Sequence, residues 1–236
     1  MTQARRFAVS WIALAAAAAT GAAPCQAAVI QSTFDASAEN WTTVGDTAAP
    51  TWLATGGNPA GHIRATDSVG GITWFFRAPA AFYGDRSASY GGLLSFDMLQ
   101  ADTSAQYDDR DVIMTGGGTT IWYDFTNNPG TTWTHYSAVL DDTGGWLFGA
   151  FASPVAATAA QIQTVLSNLS DLQIRGEFRS GADAASLDNA ILTPEPSSVV
   201  LLGLMTALAA AVPRPRRAAG PSARRTPAPR GVARSS

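Results

Sequence analysis

The chain has no lysine, one cysteine (Cys25) and two histidines, His62 and His135. Charged residues make up only 14% of its 236 positions, about half the usual share for a soluble domain. A single cysteine excludes an internal disulfide framework and a thiolate metal cluster. No His-Glu-x-x-His motif, Gly-x-Ser-x-Gly elbow or phosphate loop occurs, which removes the commonest sequence signatures of metalloproteases, serine hydrolases and nucleotide-dependent enzymes. Two carboxylates suffice for glycoside hydrolysis, but the many acids give no basis for choosing a pair.

What charge there is falls unevenly. Between residues 28 and 193 seventeen acids face six arginines, a balance of −11, while the whole chain carries only −3. The remaining arginines sit at the two ends. Such a central region repels nucleic acid and anionic membrane, and it suits a neutral or cationic partner or Ca²⁺. Its acids are fifteen Asp against two Glu, a bias that fits turns and loops better than helices.

The ends read as addresses. Arg5 and Arg6 precede an apolar stretch at residues 7–19, and small residues run on to Cys25-Gln26-Ala27. This is the pattern of a secretory leader over residues 1–27. Ala22-Ala23-Pro24-Cys25 loosely imitates a lipoprotein box, although Pro24 beside the cysteine argues against it. If cleavage follows Ala27, the exported chain has no cysteine and depends on core packing or bound ions. At the other end Pro194-Glu195-Pro196 precedes sixteen uncharged residues, 197–212, and then Pro213-Arg214-Pro215-Arg216-Arg217. As a helix the apolar segment reaches roughly 24 Å, enough for a short transmembrane span or a buried helix. The arginines would hold their side in the cytoplasm. Residues 218–236, rich in Ala, Pro, Arg and Ser, have too little apolar surface to fold, and read as a disordered basic tail.

The region between, residues 28–193, is large enough for one domain with a real core. Short runs rich in Thr, Ile, Val and aromatics are separated by turn signals such as Gly56-Gly57-Asn58-Pro59, Gly116-Gly117-Gly118 and Asn127-Asn128-Pro129-Gly130. The spacing predicts strands at 29–34, 41–44, 62–66, 72–77, 93–99, 112–115, 119–125, 133–140, 146–151, 172–178 and 186–192. Within 93–99, Leu94, Phe96 and Met98 alternate with Ser95 and Asp97, so one face is apolar. Residues 156–169 differ: Ile162, Val165, Leu166 and Leu169 recur at helical spacing. Thr158 and Gln161 form a capping box ahead of them. The expectation is an all-β, jelly-roll-like sandwich with one short covering helix, flanked by a signal peptide and a C-terminal transmembrane helix.

Two resemblances follow. The order of Pro194-Glu195-Pro196, an apolar span and Arg214, Arg216 and Arg217 resembles the PEP-CTERM sorting signal of Gram-negative bacteria. That resemblance implies export through the inner membrane, transient anchoring there, and processing near the motif by exosortase, a membrane cysteine transpeptidase. It also implies an association with exopolysaccharide and biofilm; the long tail after Arg217 departs from the family's usual ending. The domain itself resembles laminin B, also called laminin domain IV. The resemblance is carried by Phe34-Asp35 with Glu39-Asn40-Trp41, Gly57-Asn58-Pro59, Trp74-Phe75-Phe76-Arg77-Ala78-Pro79 and Tyr90-Gly91-Gly92-Leu93. Leu172-Gln173-Ile174-Arg175-Gly176-Glu177-Phe178 and Leu187-Asp188-Asn189 complete it. Laminin B domains are similar to carbohydrate-binding jelly rolls and are matrix modules rather than established enzymes. The cysteine-rich repeats that flank them in laminins are absent here.

Related jelly rolls carry a structural calcium between the opening segment and the last strand. The resemblance therefore makes Asp35, Glu39 and Asp188 candidate Ca²⁺ ligands, against the alternative that Asp35 and Asp188 cap turns. Tyr107-Asp108-Asp109-Arg110-Asp111 lacks the glycine and terminal glutamate of an EF-hand loop and reads as a solvated loop. For a glycan, aromatic faces and nearby polar groups are needed; most tryptophans of a sandwich lie in its core. Trp122, Tyr123 and Trp133, with Asp124 and Asn128 near them in sequence, are the preferred glycan-binding candidates. The reading is a secreted or surface-anchored, non-catalytic module that binds glycan or matrix polysaccharide and not nucleic acid. The alternatives are a purely structural matrix protein and a glycan-active enzyme.

Overall fold

The computed structural model describes residues 27–67 and 71–195. The expected leader up to residue 26, Pro196, the apolar segment, Arg214, Arg216 and Arg217, and the basic tail lie outside the described residues. Among the described residues no helix is long and apolar enough to cross a membrane.

Two antiparallel sheets enclose one core. The first runs β3 (Thr51–Leu53), β4 (His62–Thr66), β13 (Ala184–Thr193), β6 (Leu93–Gln100) and β9 (Thr134–Val139), with β1 (Ile30–Ser32) also paired to β13. The second runs β11 (Val155–Ala156), β10 (Leu147–Phe148), β8 (Thr119–Tyr123), β7 (Val112–Gly116), β12 (Leu169–Arg175), β5 (Phe75–Arg77) and β2 (Thr42–Val44). The result is an all-β, jelly-roll-like sandwich with one α-helix among the described residues.

Strand alternation sends one set of side chains inward. Leu94, Phe96, Met98 and Leu187 of the first sheet meet Phe76, Val112, Met114, Ile121, Leu172 and Ile174 of the second in one buried cluster. The helix α1 (Ala159–Ser167) adds Ile162, Val165 and Leu166 to that core. Its capping box forms: the Gln161 amide donates to Thr158 Oγ1, and the Thr158 amide donates to Gln161 Oε1. The helix stops before Leu169, where periodicity alone would have carried it on. Leu169 instead exchanges two backbone hydrogen bonds with Gly84, at 2.8 and 2.9 Å, and begins β12. Two short strands, β3 and β11, have no counterpart among the sequence expectations. Both are exposed edge strands of two or three residues with little apolar pattern to announce them.

The acidic run at Tyr107–Asp111 is not the solvated loop its composition indicates. Asp108 is exposed, but Asp111 is buried beneath the fully buried Arg175 of β12. The Arg175 guanidinium donates to the carbonyls of Tyr107, Asp109 and Glu177 and lies 3.4 Å from Asp111 Oδ1. It is sandwiched between the rings of Tyr107 and Phe178, at 4.7 and 4.5 Å from their centroids. The loop is folded inward because a charge this deep must have every donor matched.

Two outcomes follow from this packing. A Cβ added to Gly176 would lie 1.9 Å from Cζ3 of Trp74, whose indole is fully buried and has nowhere to retreat. Gly176→Ala is expected to cost about 1–3 kcal/mol by overpacking, read as a lower urea midpoint; an unchanged midpoint would contradict the packing. Burial raises the Asp111 carboxyl to about 7, despite the Phe125 amide and Arg175, which favour its ionised form. Because the folded pKa lies above the unfolded one, this contribution to stability is complete below about pH 4 and is lost as pH climbs through about 7. The thermal midpoint should therefore be higher at pH 5 than at pH 8, and Asp111→Asn should flatten that slope. A midpoint that rises between those values in the wild type would count against it.

Candidate functional site

The alternation that buries Leu94, Phe96 and Met98 turns Asp97 onto the outer face of the first sheet. There it lies opposite Asp188 on β13 and opposite His135 on β9. On β4, Ile63 points inward opposite Leu187, so His62 takes the outer face beside Asp188. Four strands thus place His62, Asp188, Asp97 and His135 in one row.

Two adjacent carboxylates need donors, and two asparagines provide them. Asp188 accepts the Asn58 amide at 2.6 Å and the Asn189 amide at 2.7 Å. Asp97 accepts the Nδ2 groups of Asn58 and Asn189 at 3.0 and 2.8 Å, and its other oxygen lies 2.7 Å from His135 Nδ1. Asn189 reaches this position from a bulge in β13, at φ +49°, a left-handed conformation that asparagine tolerates well. The 54–61 loop lies across the row, and Gly57 is needed there: a Cβ would sit 2.3 Å from Gly61 O and 2.7 Å from Asp188 Oδ2.

Burial lifts the Asp188 carboxyl to about 6, with the charges of Asp97 and Asp35 adding to it and the two backbone donors opposing. His62 is held below the ordinary histidine value, first by burial and then by Arg64, so it is the neutral imidazole near pH 7. Trp133 packs edge-on against His62, ring centroids 5.4 Å apart, and its indole N–H donates to Gly56 O at 2.9 Å. Trp133 is half-buried, and the His135 side chain remains 65% exposed. With its Nδ1 committed to Asp97, His135 can offer Nε2 to a ligand. The half-buried Trp133 ring, the exposed His135 imidazole and the exposed Asn58 therefore share one surface, with the Asp97 and Asp188 carboxylates buried beneath it.

The sequence candidates are divided by the fold. Trp133 and Asp188 belong to this row. Asp35 lies near enough for its charge to act on Asp188, and it accepts a hydrogen bond from Thr33. Glu39 turns its carboxylate onto the Phe34 amide at 2.7 Å. The others lie on the second sheet and the segment that follows it. Trp122 is only 3% exposed, packed against Phe151 with its N–H donated to Gly149 O, which leaves no ring face for a sugar. Tyr123 is half-buried against Trp146 and Phe125. Asn128 donates to Tyr107 O. Burial, followed by the charge of Asp108, raises Asp124. Trp122, Tyr123, Asp124 and Asn128 therefore do not join Trp133. Sequence reasoning missed His62, Asp97, His135 and Asn58; the one available signal was Asp97 on the face opposite Leu94, Phe96 and Met98.

The Pro-Glu-Pro motif begins where β13 ends. The Glu195 amide donates to Ala88 O at 2.9 Å, so its first two residues lie against the short 3-10 turn at Ser87–Ser89.

Known proteins match this chain over the same domain. Residues 75–195 match the laminin B (domain IV) family. Human laminin subunit alpha-3 is 32% identical over 131 residues, which are 51% of this chain and 4% of that protein, so the chain spans a small fraction of this relative. The L4b domain of human laminin alpha-2 superposes with a TM-score of 0.44 at 13% identity, over 52% of this chain and 71% of that domain. A family 11 carbohydrate-binding module from Clostridium thermocellum, solved with a β-1,3-1,4-mixed-linked tetrasaccharide, gives 0.48 at 11% identity over 70% and 95%. With the family matched over half its length, this chain belongs to the laminin B (domain IV) family.

Proposed function

We propose that this chain is a non-catalytic extracellular module that binds a neutral glycan of a surface matrix across the outer face of its first sheet. The observation that carries this reading is the half-buried Trp133 ring beside the exposed His135, above the Asn58, Asn189, Asp97 and Asp188 network. Sugars offer apolar ring faces to an indole and hydroxyls to an imidazole and to side-chain amides. The −11 balance of residues 28–193 favours a neutral polymer over an anionic one.

The rest of the proposal concerns delivery and reinforcement. The leader-like start and the Pro194-Glu195-Pro196 order support export, a temporary stay in the inner membrane and release by exosortase. The proximity of Asp35 to Asp188 supports a structural Ca²⁺ between the opening segment and β13, with Glu39 as a further ligand.

Titration calorimetry against a panel of neutral polysaccharides tests the binding. Trp133→Ala is expected to weaken affinity about tenfold or more, since each tenfold is about 1.4 kcal/mol. His135→Ala should weaken it less, and Trp122→Phe should leave it unchanged. No binding at millimolar sugar would sink the reading. Delivery has a separate readout, the intact mass of protein recovered from the cell surface. Chains ending near Pro196 support processing, and full-length chains with the arginine tail oppose it.

A further inference from the structure

The Pro-Glu-Pro motif starts without a linker. Thr193 is the last residue of β13, and Pro194 follows it directly. The Thr193 hydroxyl accepts from the Leu93 amide at 3.0 Å and donates to the Leu93 carbonyl at 3.2 Å. The chain is therefore fixed to β6 up to the first residue of the motif.

A bed of backbone lies beneath the next two residues. Gly92 donates to Ser89 O at 2.9 Å, Gly91 donates to Leu140 O at 3.1 Å, and Leu140 donates to Gly92 O at 2.9 Å. A Cβ on Gly92 would collide with Thr193 O and stand 2.9 Å from the carbonyl carbon of Pro194. One on Gly91 would stand 3.1 Å from Cδ of Glu195. Pro194 and Glu195 thus rest on two residues that have no side chain to hold them off. Glu195 then donates its amide to Ala88 O at 2.9 Å.

That single bond carries weight because of the motif's composition. Proline has no amide hydrogen, so Glu195 holds the one backbone donor in Pro194-Glu195-Pro196. An enzyme that takes a peptide as an added strand draws its affinity from main-chain hydrogen bonds. Here the motif's donor is already spent on the domain. The Glu195 side chain stays exposed, so the fold withholds the backbone and not the charge.

We propose that the folded domain clasps its own processing signal, which is read when Pro194 and Glu195 lift off Gly91, Gly92 and Ala88. The proposal rests on the reading of Pro194-Glu195-Pro196 as a processing signal, and adds a closed and an open state to it. A net hydrogen bond of ordinary strength leaves about a tenth to a third of the molecules open, and the apparent affinity for the enzyme falls by that fraction.

The test compares the full chain with a variant carrying Gly-Ser-Gly-Ser inserted between Thr193 and Pro194. The insertion keeps every residue of the domain and of the motif, but moves the motif off its bed. Hydrogen–deuterium exchange at the Glu195 amide should be slowed about tenfold or more in the wild type and unprotected in the variant. Protection across β6 and β13 should be the same in both chains, which separates a released motif from a failed fold. In pulse–chase labelling of the native cells, processing of the variant should be about three- to tenfold faster. An unprotected Glu195 amide in the wild type would overturn the clasp, whatever the variant does. Equal or slower processing of the variant would overturn it as well, by showing that the motif is read in place on the domain. Processing of neither chain would overturn the processing-signal reading, and the proposal with it.

Discussion

The Arg175 guanidinium is the contact on which the end of the sandwich between β7 and β12 depends. It is fully buried, and its donors are taken up by three carbonyls and one carboxylate. Meeting that demand pulls the Tyr107–Asp111 run inward, aligns Asp111 with the Phe125 amide at 2.7 Å, and sets Glu177 and Phe178 where β12 ends. A buried cation paired in this way is costly to break and weak as a source of net stability. Its value here is conformational. It holds an acidic loop in one arrangement that the loop's own composition would not select.

β13 imposes the second constraint. Along one edge it pairs first with β4 and then with β1, and along the other with β6. The change of partner coincides with the bulge at Asn189, which lets one side chain bind both Asn58 O and Asp97 Oδ2. The outer-face row is therefore a product of register. Asp97 and Asp188 stand opposite each other because Leu187 must meet Met98 inside, and the two asparagines make that acidic pairing tolerable.

Much of the fold was legible in the sequence, because it rests on local signals. The alternation of β6, the run at His62–Thr66 and the Thr158–Gln161 cap each need only a few neighbouring residues to be read, and each formed where expected. The site was less legible, because it rests on distance. His62, Asp97, His135 and Asp188 are joined only once three strand registers are known. Asp111 looks solvated until Arg175, 64 residues later, is placed above it. Trp122 looks like a platform until Phe151 covers it. Composition identifies an aromatic or an acid but cannot say which of its faces another segment will occupy.

The same reasoning explains why this domain buries so many carboxylates. With no lysine, and seventeen acids against six arginines between residues 28 and 193, most of the carboxylates, among them the buried Asp97, Asp183, Asp188 and Glu177, have no arginine of their own. The fold answers mainly with backbone and amide donors. Asp183 takes the amides of Phe178 and Ala184, and Asp188 those of Asn58 and Asn189. Such donors stabilise the ionised form but do not cancel its charge, and Asp188 and Asp111 accordingly sit well above their ordinary values. Where amide donors are plentiful, as around Asp188, the carboxylates order a surface that can face a ligand.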